Sequence, residues 1–199
     1  IIAYGLNAKS LTIWKDVPGV LNADPKLFEN PVLLKDISYG ETIELAFYGA
    51  SVIHPKTLQP LQKKEIPLYV KPFLNPNSRG TKITRGVDIN PKVPCYIVKK
   101  NLFLLRLSSL DFSFIVEENI SEIFKELHHN KIKVDLTQNS AISMYLCIED
   151  KYSKLDNLIS KLKAKFKVKC IENIELYTIR HFDKNSIKKI LGNYDLILQ

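Results

Sequence analysis

Residues 102–108 read Leu-Phe-Leu-Leu-Arg-Leu-Ser, and the stretch that begins there decides the fold. Phe103, Leu105 and Leu107 alternate with Leu104, Arg106 and Ser108, the period of a strand with one buried face. Ile120, Ile123, Phe124 and Leu127 then recur at i, i+3, i+4 and i+7, one face of a helix. Strands are expected over 132–136 and 142–148, separated by the turn-forming Gln138-Asn139-Ser140. Leu155, Leu158, Ile159 and Leu162 mark a second amphipathic helix, and 174–179 closes the set as a strand. The order is βαββαβ, the ferredoxin-like arrangement. Further out, 95–99 is one more strand, and 186–191 with 194–198 begin another helix and strand. The chain is therefore expected to stop inside a second copy of the motif.

Upstream the pattern changes. Leu11–Trp14 is a short strand, followed by a loop whose Pro18-Gly19 pair signals a turn. Ser38 with Glu41 fits a capping box, and Ile43, Ala46 and Phe47 continue at helical spacing. A second helix is expected from Pro55 to Lys64, limited or bent by Pro60. Leu68–Lys71 is a strand closed by Pro72, and Asn75–Gly80 is turn-forming. The order β, α, α, β is part of an α/β sheet and too small to be a whole one. Residues 84–94, with two prolines and a glycine, read as a linker. The fold class is thus α/β (α+β): a partial α/β sheet over 1–83, then a ferredoxin-like region over 95–199.

The 199 residues are 45% hydrophobic and 25% charged, which argues against a disordered tail. No apolar run approaches the roughly 18 residues of a membrane span. Three cysteines (Cys95, Cys147, Cys170) are too few for a disulfide framework, and no two are spaced as a metal-binding pair. A reduced, cytoplasmic setting follows as the expectation. The chain starts at Ile1 without an initiator Met or a signal-peptide pattern, so an internal cut is expected. The net charge of +8 is spread, with 11 basic and 8 acidic residues in 1–90 and 18 and 13 in 91–199. Spread charge suits anionic ligands and does not mark a nucleic-acid arm. The run Lys161, Lys163, Lys165, Lys167 and Lys169 is read as a solvated face.

Topology of this kind hosts many functions. An RNA-binding use needs aromatics on the two central strands, and these offer only Phe103 and Tyr145, with no Lys/Arg-Gly-aromatic signature. The other use is a small-molecule-sensing domain of the ACT type.

The first region separates them. Trp14-Lys15-Asp16-Val17-Pro18-Gly19-Val20, then Asn22-Ala23-Asp24-Pro25-Lys26, then Glu44–Thr57 (Glu-Leu-Ala-Phe-Tyr-Gly-Ala-Ser-Val-Ile-His-Pro-Lys-Thr) closely resemble aspartokinase. Ile66-Pro67, Asn75-Pro76 and Gly80-Thr81 resemble the end of that family's catalytic domain. The resemblance implies the carboxyl-terminal part of an amino acid kinase domain over 1–83 and an ACT regulatory region over 95–199. Within it, 101–171 would be a first ACT domain, with 95–100 and 172–199 part of a second. It implies a kinase that uses ATP with Mg²⁺ to phosphorylate the side-chain carboxylate of L-aspartate, feeding lysine, threonine and methionine synthesis. It also implies a homodimer through the ACT domains, with no nucleic-acid or membrane partner. The alternative is a non-catalytic regulatory subunit that binds an amino acid.

By resemblance the nucleotide side comprises Lys15, Asp16, Gly19, Leu21, Asp24, Lys26 and Ser51. Gly19 lets the backbone turn close to the nucleotide, and Lys26 replaces an Arg, keeping the charge without the planar fork. Lys15, Leu21 and Ser51 depart from the usual Thr, aromatic and Lys. For Asp16 and Asp24 the plain structural reading is turn stabilisation through Asx-type bonds. His54 is read as a helix-start residue, since transfer to an ionised carboxylate leaves no proton to abstract. His128, His129 and His181 are read as surface residues. The effector side comprises Asp135, Asn139 and Ser140, with the loop amides at Asn119, Ile120 and Ser121. Asp135 would meet an effector's ammonium, and the amides would suit its carboxylate. For Asp135 and Ser140 the structural alternative is a tight turn. Lysine is expected first as effector and threonine second.

Overall fold

The computed structural model describes residues 1–50, 53–192 and 195–198. They form two compact units, residues 1–98 with 177–199, and residues 99–176.

In unit 1 a one-turn helix α1 (Ile2–Gly5) precedes β1 (Leu11–Lys15), β2 (Asp36–Ser38), α2 (Tyr39–Tyr48), α3 (Pro55–Lys63), β3 (Leu68–Pro72) and β4 (Thr81–Thr84). The sheet order is β1-β3-β4-β2, with β1 parallel to β3, β3 antiparallel to β4, and β4 parallel to β2. The three-residue β2 and four-residue β4 are too short to show periodicity, which is why the sequence displays only the outer pattern. Ser38 caps α2 by accepting the Glu41 amide, at 3.1 Å, while the Glu41 carboxylate turns elsewhere. His54 caps α3, its Nδ1 accepting the Lys56 amide, and α3 runs through Pro60 to Lys63. Leu34, Ile37, Leu58, Leu61, Leu68, Val70 and Ile83 form the core.

Residues 84–94 differ from the linker expectation. Ile89 and Cys95 join the same core, and Asn90 pairs with Asp36 across an antiparallel bridge. Burying Ile89 and satisfying the Asn90 backbone ties the stretch down despite its prolines. The division falls instead inside two long strands, β5 (Cys95–Ser109) and β8 (Phe166–Arg180). The helix α6 (Lys184–Leu191) forms as expected, started by the Asp183 carboxylate on the Asn185 and Ser186 amides. The strand expected over 194–198 lies partly outside the described residues, and 195–198 adopt no strand.

Unit 2 holds α4 (Glu117–His129), β6 (Lys133–Asn139), β7 (Ser143–Glu149) and α5 (Leu155–Leu162) between β5 and β8. The order β6-β7-β5-β8 is that of the ferredoxin-like fold. Phe103, Leu105 and Leu107 of β5 and Met144, Leu146 and Ile148 of β7 face Ile123 and Leu127 of α4 and Leu155, Leu158 and Leu162 of α5. The turn between β6 and β7 is 140–142, so Gln138 and Asn139 sit in the strand rather than the turn. The five lysines at 161–169 are all exposed. No helix among the described residues is long and apolar enough to cross a membrane.

Candidate functional site

The carboxyl ends of β1 and β3 lie side by side, and parallel strands offer their ligand positions at such ends. Lys15 ends β1, and its carbonyl accepts the Phe73 amide at 2.6 Å. Asp16 follows, exposed, and the chain then dives inward at Gly19 and Val20, both buried. Gly19 has φ +152, and a Cβ there would stand 2.5 Å from the Thr81 Oγ1 and 2.7 Å from Leu33. No other residue fits between those neighbours without displacing them.

Thr81 is what holds this bend. Its buried hydroxyl accepts the Val20 amide at 2.8 Å and donates to the Leu34 carbonyl at 2.6 Å. Gly80 before it has φ +64, and a Cβ there would overlap the Val70 carbonyl. The Gly80-Thr81 pair therefore has a physical reason: a glycine to approach β3, then a hydroxyl to pin the loop. Leu21 bridges Leu33, and Asn22 accepts the Val32 amide while donating to the Pro94 carbonyl. Asp24 Oδ1 accepts the Lys26 amide at 2.8 Å, the Asx-type turn that was its structural alternative. Lys26 itself is exposed. Ser51 lies outside the described residues.

On the unit 2 side, Asp135 is the extra residue of a bulge in β6, between Val134 opposite Ile148 and Leu136 opposite Cys147. A bulge re-aims its side chain. The carboxylate is 3% exposed, and its Oδ1 meets Lys99 Nζ at 2.6 Å and Lys133 Nζ at 3.0 Å. Oδ2 is buried with no hydrogen-bond partner. Asn139 is an exposed strand residue opposite Met144. Ser140 closes the turn, its amide donating to the Ser143 carbonyl at 2.8 Å and its hydroxyl 2.7 Å from that of Ser143. The expectation of free amides at 119–121 is corrected at Ile120, whose N–H donates to the Val116 carbonyl within the helix. The Asn119 side chain accepts the Val116 amide, and Glu117 and Glu118 make this first turn acidic. Two carboxylates there oppose an anion. Ser121 is exposed. The aromatics weighed for RNA stacking divide between the faces: Phe103 packs with the core, and Tyr145 lies opposite Arg106. They make no common platform.

A further cluster in unit 1 joins residues about 140 apart in sequence. Arg180 grips both Glu41 oxygens at 2.7 and 2.8 Å, and His181 Nε2 lies 2.9 Å from Glu41 Oε1. The Arg180 hydrogen bonds hold the Glu41 carboxyl below the usual carboxylate range against the opposing effect of burial. Burial pushes the nearby Cys95 thiol up to about 12. His181 is exposed, as read from sequence, and its ring also reaches Glu41.

Residues 1–72 match the amino acid kinase family. The chloroplastic aspartokinase 1 of Arabidopsis thaliana is 33% identical over 153 residues, covering 74% of this chain and 26% of that one. The structure of E. coli aspartokinase III with aspartate and ADP matches with a TM-score of 0.73 and 29% identity, over 89% of this chain and 41% of that one. The structure of the same enzyme with lysine and aspartate matches with a TM-score of 0.77 and 26% identity, over 98% and 46%. The chain is thus similar to aspartokinases over about three quarters or more of its length. It spans between about a quarter and a half of the length of these aspartokinases.

Sequence reading missed Lys99 and the pairing of Glu41 with Arg180, and it gave Asn22 no contact of its own. Lys99 stands 36 positions before its partner Asp135. A local motif carries no signal for such pairs.

Proposed function

We propose that this chain supplies the nucleotide-side part of an aspartate kinase together with an amino-acid-sensing ACT region. The observation that carries the reading is the Lys15–Lys26 segment at the carboxyl ends of parallel β1 and β3, bent by Gly19 onto Thr81. Lys15 and Lys26 would meet phosphate oxygens, and Gly19 would bring backbone close to them. The whole enzyme would transfer the γ-phosphoryl group of ATP to the ionised side-chain carboxylate of L-aspartate, giving 4-phospho-L-aspartate. A new P–O bond forms as the bond to ADP breaks, with no proton to remove, so positioning and cationic stabilisation suffice. His54, whose Nδ1 accepts the Lys56 amide, is a helix cap in this scheme and not a base.

The described residues hold no group of three or more His, Cys, Asp or Glu that would cage a metal. Mg²⁺ carried on nucleotide phosphates would need few protein carboxylates. Asp16 and Asp24 would meet its water shell. Bound there, Mg²⁺ would neutralise phosphate charge.

Residues 99–176 would take an amino-acid effector at Asp135, with lysine ahead of threonine. The resemblance to an aspartokinase solved with lysine supports that order. Pairing of two copies through this sheet would cover its edge strands β6 and β8.

Trp14 is the only tryptophan, 45% exposed and adjacent to Lys15, so its emission reports on the loop. Titration of the 199-residue chain with Mg·ADP should shift Trp14 emission, with the shift weakened in Lys26→Ala. No shift and no heat of binding at millimolar nucleotide would overturn the nucleotide reading. Amino-acid binding without nucleotide binding would favour the non-catalytic regulatory subunit.

A further inference from the structure

Resting on the effector reading of Asp135, we propose that Lys99 is a built-in competitor for the effector, its ε-ammonium filling the place on Asp135 that an amino-acid ammonium would take. The Asp135 side chain is 3% exposed and that of Lys99 17%, with 2.6 Å between Nζ and Oδ1. This is a charge-assisted bond in a poorly solvated place, where such bonds are strongest.

Lys133 also reaches Oδ1, at 3.0 Å, yet it is held differently. It is 53% exposed, and its strand position lies directly opposite Glu149, a second carboxylate that attracts its charge. Lys133 can leave Asp135 for water and Glu149. Asp135 is the one acidic partner in reach of Lys99 among the described ion pairs. Cys147 belongs to the same cluster: burial raises its thiol to about 11, the Asp135 carboxylate adds to that, and the Lys99 ammonium opposes it.

The second oxygen points to a ligand. Oδ2 is buried and lacks any hydrogen-bond partner, although a carboxylate can accept about four bonds. Two ammonium groups crowd one oxygen while the other waits. An incoming α-ammonium, three donors on a compact cation, can bridge both oxygens only by moving Lys99 off Oδ1. A tethered lysine competes at an effective concentration near the millimolar range, so apparent affinity falls with the fraction of Asp135 left open. Lys99 thereby sets the threshold concentration at which an effector registers.

The test uses the full chain with lysine and with threonine, by calorimetry. Lys99→Met keeps the apolar stem, leaves Asp135 paired with Lys133, and should tighten binding of at least one amino acid about tenfold or more. Lys99→Arg should keep wild-type affinity, and Lys133→Met should change it less than Lys99→Met. Asp135→Asn should abolish binding in every background. If wild type and Lys99→Met bind equally and Asp135→Asn still abolishes binding, the competitor role is overturned and the effector site stands. If Asp135→Asn changes nothing, or neither protein binds, both readings fall. A readout on the unaltered chain covers the case of a misfolded variant. The ammonium NMR signal of Lys99, slowed in exchange by its bond to Asp135, should be lost on saturation with the amino acid. Its persistence with amino acid bound would overturn the proposal.

Discussion

Thr81 accepts from the Val20 amide and donates to the Leu34 carbonyl with no exposed surface of its own. Thr81→Val keeps the shape and strands one buried donor and one buried acceptor. Unfolding in urea should show a loss of about 2–3 kcal/mol. The Trp14 response to Mg·ADP should weaken with it, because the bend at Gly19 loses its anchor. Glu41 offers a pH-dependent counterpart. Its carboxyl is held below the usual range, so it contributes stability that is complete above the unfolded-state value and lost as pH falls through the folded one. The difference in unfolding free energy between wild type and Glu41→Gln should be constant above about pH 5 and shrink below about pH 4. At neutral pH the cost should be about 2 kcal/mol, that of hydrogen bonds to a charged partner.

At the scale of elements, α5 is only eight residues long and gets its stability from one buried face. Leu158 on that face has no exposed surface and packs with the strands of unit 2. Leu158→Ala should cost about 2–5 kcal/mol by thermal or urea unfolding. The bulge in β6 is the other element-scale device. It adds a residue between Val134 and Leu136, so Asp135 is re-aimed while Val134 stays packed against the core. Deleting Asp135 would return β6 to regular register, and amino-acid binding should vanish while the sheet's circular dichroism remains.

For the whole molecule the open sheet edges β6 and β8 set the expectation of self-association. Light scattering at tens of micromolar should give the mass of a dimer, and a monomer there would count against pairing through unit 2. The chain alone should form no aspartyl phosphate by hydroxamate trapping, since it spans less than half of the aspartokinases it matches. A signal above the no-protein control would overturn that expectation.

Periodicity by itself determined the βαββαβ order, because Phe103, Leu105, Leu107 and Ile120, Ile123, Leu127 encode their burial in spacings of two and three to four. Motif resemblance pointed to aspartokinase through short stretches whose order survives in the chain, and the similarity to aspartokinases agrees with it. The Gly80-Thr81 pair was legible as a motif, while its purpose was not: only folding brings Thr81 to Val20, 61 positions away. The same holds for Lys99 on Asp135 and Arg180 on Glu41, which rest on strand pairing and chain return between distant segments. Residues 84–94 show the limit from the other side, since their composition reads as a linker and their burial depends on core partners elsewhere in the chain. Local propensity is written residue by residue. The contacts that neutralise a buried charge or pin a loop are decided by tertiary structure, because their free energy belongs to pairs the sequence keeps far apart.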